Sequence, residues 1–150
     1  MSQDRNKNRV RDVMTPDPQC VNEKDSIMDA AKIMQSADTG AVPVVDGNNK
    51  IIGMITDRDI VVRLIAQGKD TQNARVNEAM TKSVRKVDEN APINEVVELM
   101  SNAQIRRVPV VNAKDQIVGI VSLADLATGR TQADKVGKTV EQISEGPGNN

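Results

Sequence analysis

A shift of 66 positions lays this chain on itself. Met14-Thr15 falls on Met80-Thr81, and without a gap Val42-Pro43-Val44-Val45 falls on Val108-Pro109-Val110-Val111. In the same register Gly53 meets Gly119, Thr56 meets Ser122 and Asp59 meets Asp125. A gapless internal repeat of about fifty residues constrains the architecture before any local propensity does. A duplicated unit builds one pseudo-twofold body with paired, related clefts, so residues that match across the copies belong to the core or to those clefts. A copy of this size is marginal alone, and the two are expected to share a core.

Composition narrows the chemistry. The 150 residues carry a net charge of −1, with both signs spread along the chain. Nonspecific nucleic-acid binding needs a basic stripe, and an anionic membrane surface needs basic clusters; neither is present. There is no Phe, Tyr, Trp or His. The interior must therefore be aliphatic plus Met, no aromatic platform can stack a base, and no imidazole can serve as general base or metal ligand. Cys20 is the single cysteine, which rules out an intramolecular disulfide and fits a reducing compartment. The segment from Met1 to Arg11 is charged and lacks the apolar stretch of a secretory signal, and no apolar run approaches the roughly 20 residues of a membrane span. A cytoplasmic protein with no nucleic-acid or membrane partner is expected.

The coarse organisation follows from periodicity. Residues 1–9 read as a flexible polar N-terminal tail, 10–67 as the first unit, 68–75 as a polar linker, 76–129 as the second unit and 130–150 as a flexible tail with a weak helical turn over 136–143. In copy one, Ile27, Ala30, Ala31, Met34 and Ala37 recur at helical spacing behind Ser26, and Ser26 with Asp29 resembles a capping box. Ala41–Val45 and Lys50–Thr56 flank the turn Asp46-Gly47-Asn48-Asn49 and read as a hairpin. Pro43 has no N–H, which places its strand at an edge or turns its other side to a loop or ligand. Asp57 to Gln67 reads as a helix with Ile60, Val61, Leu64 and Ile65 buried, stopped by Gly68. Copy two repeats this order, with a helix over about 92–103, strands over 107–111 and 116–122 around Asn112-Ala113-Lys114-Asp115, and a helix from Leu123. The fold class is α/β (α+β): a β-α-β-β-α unit used twice.

One constellation can carry chemistry. Gly53-Met54-Ile55-Thr56-Asp57-Arg58-Asp59-Ile60 and Gly119-Ile120-Val121-Ser122-Leu123-Ala124-Asp125-Leu126 each lie at a strand-to-helix junction. A hydroxyl residue and a carboxylate three apart at a helix start share one face. They can cap the helix, and the carboxylate can accept two hydrogen bonds from a vicinal diol such as ribose. The spacing does not separate the two uses, because one residue can do both. Cys20 and the repeated Met14/Met80 and Met34/Met100 read as packing residues.

These junctions, each preceded by Val-Pro-Val-Val, resemble the cystathionine-beta-synthase (CBS) domain, and paired they resemble a Bateman module. The resemblance covers about residues 10–67 and 76–129. With Thr56-Asp57-Arg58-Asp59 in copy one and Arg106-Arg107-Val108-Pro109 in copy two, the chain is similar to small stand-alone paired-CBS proteins of bacteria, hypoxic-response proteins among them. The resemblance implies two units packed sheet to sheet about a pseudo-twofold axis, with adenine nucleotides bound in clefts between them. Carried over by position, a first cleft would use Thr56 and Asp59 for ribose and the Met54 backbone against the base, with Val87, Arg106 and Arg107 from the opposite copy. A second would use Ser122, Asp125 and Ile120, with Val21, Gly40 and Ala41 from copy one, and Arg106 or Arg107 could also reach its phosphate. Arg58 stands where copy two has Ala124, and Arg106-Arg107 stands where copy one has Gly40-Ala41, so phosphate-binding guanidinium groups are unevenly shared. One good nucleotide site is expected, with the first favoured.

The expected function is a non-catalytic regulatory module that takes AMP, ADP or ATP as ligand, requires no cofactor or metal, pairs as a homodimer and acts on an unknown protein partner. An alternative is a ligand-free interaction or scaffold module acting by dimerisation and partner docking. An enzyme using Asp57 and Asp59 to hold a metal is the third possibility, and nothing else in the chain assembles a nucleophile with a base.

Overall fold

The computed structural model describes residues 8–128; the readings of 1–7 and of 130–150, with its turn over 136–143, lie outside them. The elements in order are α1 (Val10–Val13), β1 (Thr15–Pro16), β2 (Val21–Asn22), α2 (Ile27–Ser36), β3 (Ala41–Val45), β4 (Ile51–Thr56), α3 (Asp57–Ile60), a π-helical turn (Val61–Ile65), a 3-10 turn (Val76–Glu78), β5 (Val87–Asp88), α4 (Ile93–Ala103), β6 (Arg107–Val111), β7 (Ile117–Ser122) and α5 (Leu123–Thr128). This is the mixed α/β architecture the repeat announces. The repeat extends to backbone conformation. Asp38 and Gln104, 66 residues apart, share a left-handed φ of 51° and 53°, and so do Asn49 and Asp115 in the two hairpin turns, at 64° and 63°.

The residues pack as two compact units that interleave the repeats. The first-copy unit comprises Gln19–Val84 with Asp115–Ile117, and carries the sheet β2-β3-β4. In it β2 runs parallel to β3, and β3 antiparallel to β4 with Ala41 opposite Thr56. The second-copy unit comprises, among the described residues, 8–18, 85–114 and 118–128; its sheet runs β1-β7-β6-β5. There β1 lies antiparallel to β7, pairing Thr15 with Ile120. So the Met-Thr segment that leads each copy packs against the sheet of the other copy's hairpin. Met14-Thr15 lies on β7, and Met80-Thr81 lies on β4, where Met54 and Thr81 exchange both backbone hydrogen bonds at 2.9 and 2.8 Å.

With its borrowed segment each unit closes a buried cluster of its own. The first-copy unit buries Val21, Ile27, Val42, Val44, Ile55, Leu64, Val76 and Met80, among others. The second-copy unit buries Val10, Val87, Ile93, Val96, Val97, Met100, Val108, Val110, Val121 and Leu126. Val10 and Val76, the borrowed valines, are fully buried. Each such side chain contributes about 1.5–3 kcal/mol of burial, and a β-α-β-β-α unit gains a wall that its own sequence does not supply.

Local chemistry explains the elements. Ser26 caps α2, its hydroxyl accepting from the Asp29 N–H at 3.1 Å. α4 starts behind Pro92 and buries the predicted Ile93, Val96, Val97 and Met100, with Leu99 partly buried. β4 and β7 alternate strictly, their odd-numbered residues buried, while β3 and β6 are buried from their second residue on. β3 is the central strand, although it holds Pro43. The two-residue β2 pairs only with Val44 and Val45, so the missing N–H falls beyond that ladder. The predicted helix over 57–67 differs in kind. After one turn of α3 it widens, with the Ala66 N–H donating to Val61 and the Lys69 N–H to Leu64, both across five residues. The wider turn carries only Leu64 into the core and leaves Val61, Val62 and Ile65 at 51, 44 and 57% exposed. Gly68 closes the segment with φ 71°, a conformation that glycine adopts at no steric cost.

Candidate ligand site

Thr56 is the last residue of β4 and the N-cap of α3. Its extended backbone (φ −117°, ψ 162°) aims the hydroxyl at the first helical turn. The hydroxyl accepts from the Asp59 N–H at 3.0 Å, and Asp59 Oδ2 accepts from the Thr56 N–H at 3.0 Å. Ser122 and Asp125 make the same reciprocal pair in the second-copy unit, at 2.9 and 3.0 Å. The capping use of the motif is therefore present in both copies, and it holds each carboxylate in one orientation.

The two junctions are also tied to the strand before them in the same way. The Asp57 N–H donates to the Gly40 carbonyl at 3.0 Å, and the Leu123 N–H donates to the Arg106 carbonyl at 2.8 Å. A Cβ on Gly40 would stand 3.1 Å from Asp57 Oδ2, a tight contact that the exposed Asp57 side chain would have to relieve by moving.

Asp59 is the only polar residue among the described ones that is classed as buried, at 9% exposure. Its second oxygen, Oδ1, has weaker company. The Thr81 hydroxyl donates to it at 3.4 Å, and Arg63 Nε lies 3.6 Å away, too far for a hydrogen bond. Arg63 also donates from Nη1 to the Met80 carbonyl at 3.3 Å. The ion pair is half exposed on the arginine side and adds little stability, so its main consequence is geometric.

The sequence-derived site residues divide between the units. Val21, Gly40, Ala41, Met54, Thr56, Arg58 and Asp59 lie in the first-copy unit; Val87, Arg106, Arg107, Ile120, Ser122 and Asp125 lie in the second-copy unit. Val21 and Val87 are buried core residues. The Met54 backbone N–H is engaged by the Thr81 carbonyl, while the Met54 carbonyl accepts from Thr81 and keeps a second lone pair. Arg58 is exposed, and its N–H donates to Asp57 Oδ1. Arg106 and Arg107 are half buried, and Arg106 Nε is a buried nitrogen with no hydrogen-bond partner.

Sequence reasoning passed over Arg63 and Thr81. The first carried a signal, since position i+4 from Asp59 shares its helix face. The second sat beside Met80 in a repeated pair read as filler. Burial pushes the Cys20 thiol up to about 11, away from reactivity at neutral pH. Among the described residues no group of three His, Cys, Asp or Glu can hold a metal, and no helix is long and apolar enough to cross a membrane.

The chain is similar to known proteins in sequence and in fold. The model of the CBS domain matches residues 10–66 and 76–129. Hypoxic response protein 1 of Mycobacterium tuberculosis is 40% identical over 118 residues, covering 79% of this chain and 82% of its own length. A crystal structure of Hypoxic Response Protein I with two coordinated zinc ions is 39% identical, covers 79% of this chain and 96% of that one, and superposes with a TM-score of 0.73. The CBS domain pair of protein MJ0100, crystallised in complex with 5-methylthioadenosine and S-adenosyl-L-methionine, is 35% identical over 79% of this chain and 96% of that one, with a TM-score of 0.70.

Proposed function

The chain belongs to the CBS-domain family, and from that premise we propose that it is a non-catalytic regulatory module whose ligand contains adenosine, an AMP-, ADP- or ATP-like nucleotide. One observation carries the reading. The cap occupies one oxygen of Asp59 and leaves the other, Oδ1, with contacts only at 3.4 and 3.6 Å. A buried carboxylate oxygen so loosely satisfied is a ready acceptor for the hydroxyls of a ribose. The adenosine ligands of the MJ0100 pair support the ligand class. Occupancy at Asp59 would act through a packing change, because a ligand shifts an equilibrium only by its differential affinity for two states. The module would work in the cytoplasm, where its single cysteine stays reduced.

Calorimetric titration with AMP tests the reading. Asp59→Asn keeps an acceptor for the cap but loses the charge, and a charge-assisted bond is worth about 1.5–3 kcal/mol. Binding should weaken roughly tenfold or more. Equal affinities in the two proteins would remove Asp59 from the site.

A second reading is favoured by the exposed Val61, Val62 and Ile65. It is a ligand-free interaction module that buries this face in a homodimer or against another protein. In that case no adenosine ligand raises the melting temperature, and Ile65→Glu changes the oligomeric state seen by light scattering.

A further inference from the structure

The two copies differ in sequence four residues beyond the junction carboxylate. Arg63 sits on the widened turn four residues beyond Asp59, and the 66-residue offset puts Gly129 at its place in the second copy. Its guanidinium stands 3.6 Å from Asp59 Oδ1 through Nε and donates from Nη1 to the Met80 carbonyl at 3.3 Å. The next residue, Thr81, donates its hydroxyl to the same Oδ1 at 3.4 Å. Asp59 is thus held from two ends. The Thr56 N–H fixes Oδ2, and the Arg63–Met80–Thr81 cluster surrounds Oδ1 without saturating it.

We propose that Arg63 is a positioning residue for diol recognition: it orients Asp59 Oδ1 toward the ribose hydroxyls and gives the copy-one junction its preference for ribose over deoxyribose. The proposal rests on the adenosine reading above. Its physical basis is preorganisation. A carboxyl oxygen with two long contacts keeps lone-pair capacity for a hydroxyl. The cap already fixes the carboxylate through Oδ2, and the nearby guanidinium adds a second anchor at Oδ1, so less residual motion has to be frozen on binding. The π-helical turn is what serves this purpose locally, because it sends Leu64 inward while Arg63 spans from Asp59 to the Met80 carbonyl. Turns of this kind occur often at functional sites.

The test uses the full chain with Asp125→Asn, so that the copy-one junction is read alone. AMP and 2′-deoxy-AMP are titrated calorimetrically into this protein and into its Arg63→Ala and Arg63→Lys derivatives. The reference protein should prefer AMP by about tenfold. Arg63→Ala should reduce that preference below twofold and weaken AMP binding about fivefold, with the melting temperature little changed because the side chain is half exposed. Arg63→Lys, which restores the charge, should recover a preference of at least threefold. A tenfold preference that survives Arg63→Ala, or a preference lost equally in Arg63→Lys, overturns the positioning role while leaving the adenosine reading intact. A reference protein that binds both nucleotides equally overturns the positioning role alone, and one that binds neither overturns the adenosine reading with it.

Discussion

Replacing Gly53 by alanine tests the seating of the Met80-Thr81 segment on β4. A Cβ at Gly53 would come 2.8 Å from the Thr81 carbonyl oxygen and 3.2 Å from Met80 Sδ. The methionine sulfur can swing aside, but the carbonyl is backbone and is held by the reciprocal Met54–Thr81 bonds. Relief requires the segment to lift, which weakens two hydrogen bonds worth about 0.5–1.5 kcal/mol each and adds overpacking strain of about 1–3 kcal/mol. The smaller backbone entropy of alanine in the unfolded chain returns about 0.4–1 kcal/mol. The net expected loss is about 2–3 kcal/mol, which at a urea m-value of about 1–3 kcal/mol/M lowers the midpoint by roughly 1–2 M. Circular dichroism is the appropriate probe, since the chain has no Trp or Tyr to fluoresce. Gly47, with no atom within 4 Å of its would-be Cβ, provides the control, and Gly47→Ala should stay within about 0.5 kcal/mol of the parent. Equal midpoints for Gly53→Ala and Gly47→Ala would refute the close approach and with it the exchange of leading segments.

Leu64 and Ile65 are neighbours with opposite environments, one fully buried and one mostly exposed. Leu64→Ala should cost about 2–5 kcal/mol in urea unfolding, and Ile65→Ala under about 1 kcal/mol; similar costs would mean that the turn is an ordinary α-helix. The Cys20 thiol, raised from 9.0 to about 11 by burial, should alkylate with iodoacetamide up to about a hundredfold more slowly at pH 8 in the folded chain than in urea. A folded-state value above the unfolded one means that its stabilising contribution is complete below pH 9 and fades as pH rises toward 11. Cys20→Ser should flatten that part of the pH–stability profile.

Much of the fold was legible because it is periodic and stated twice. The hairpins, their turns, both amphipathic helices and the hydroxyl–carboxylate caps stand within a residue or two of where spacing puts them. Three features were not legible. The exchange of leading segments is a long-range choice, since Met14-Thr15 and Met80-Thr81 would be apolar-then-hydroxyl pairs in either arrangement. The π-helical turn escapes a periodicity argument because over five residues its pattern and that of an α-helix coincide, so Val61 and Ile65 read as buried. Arg63 lay outside the repeat-derived list for the reason that makes it interesting: copy two has no arginine there.

The central claim is that Asp59 receives an adenosine ligand, and thermal melting against AMP, ADP, ATP and 5-methylthioadenosine tests it most directly. A ligand at about 100 times its dissociation constant adds roughly 2.7 kcal/mol. The account predicts that at least one of the four raises the melting temperature by several degrees in the parent chain and by much less in Asp59→Asn. No shift with any of them, or the same shift in Asp59→Asn, would contradict it.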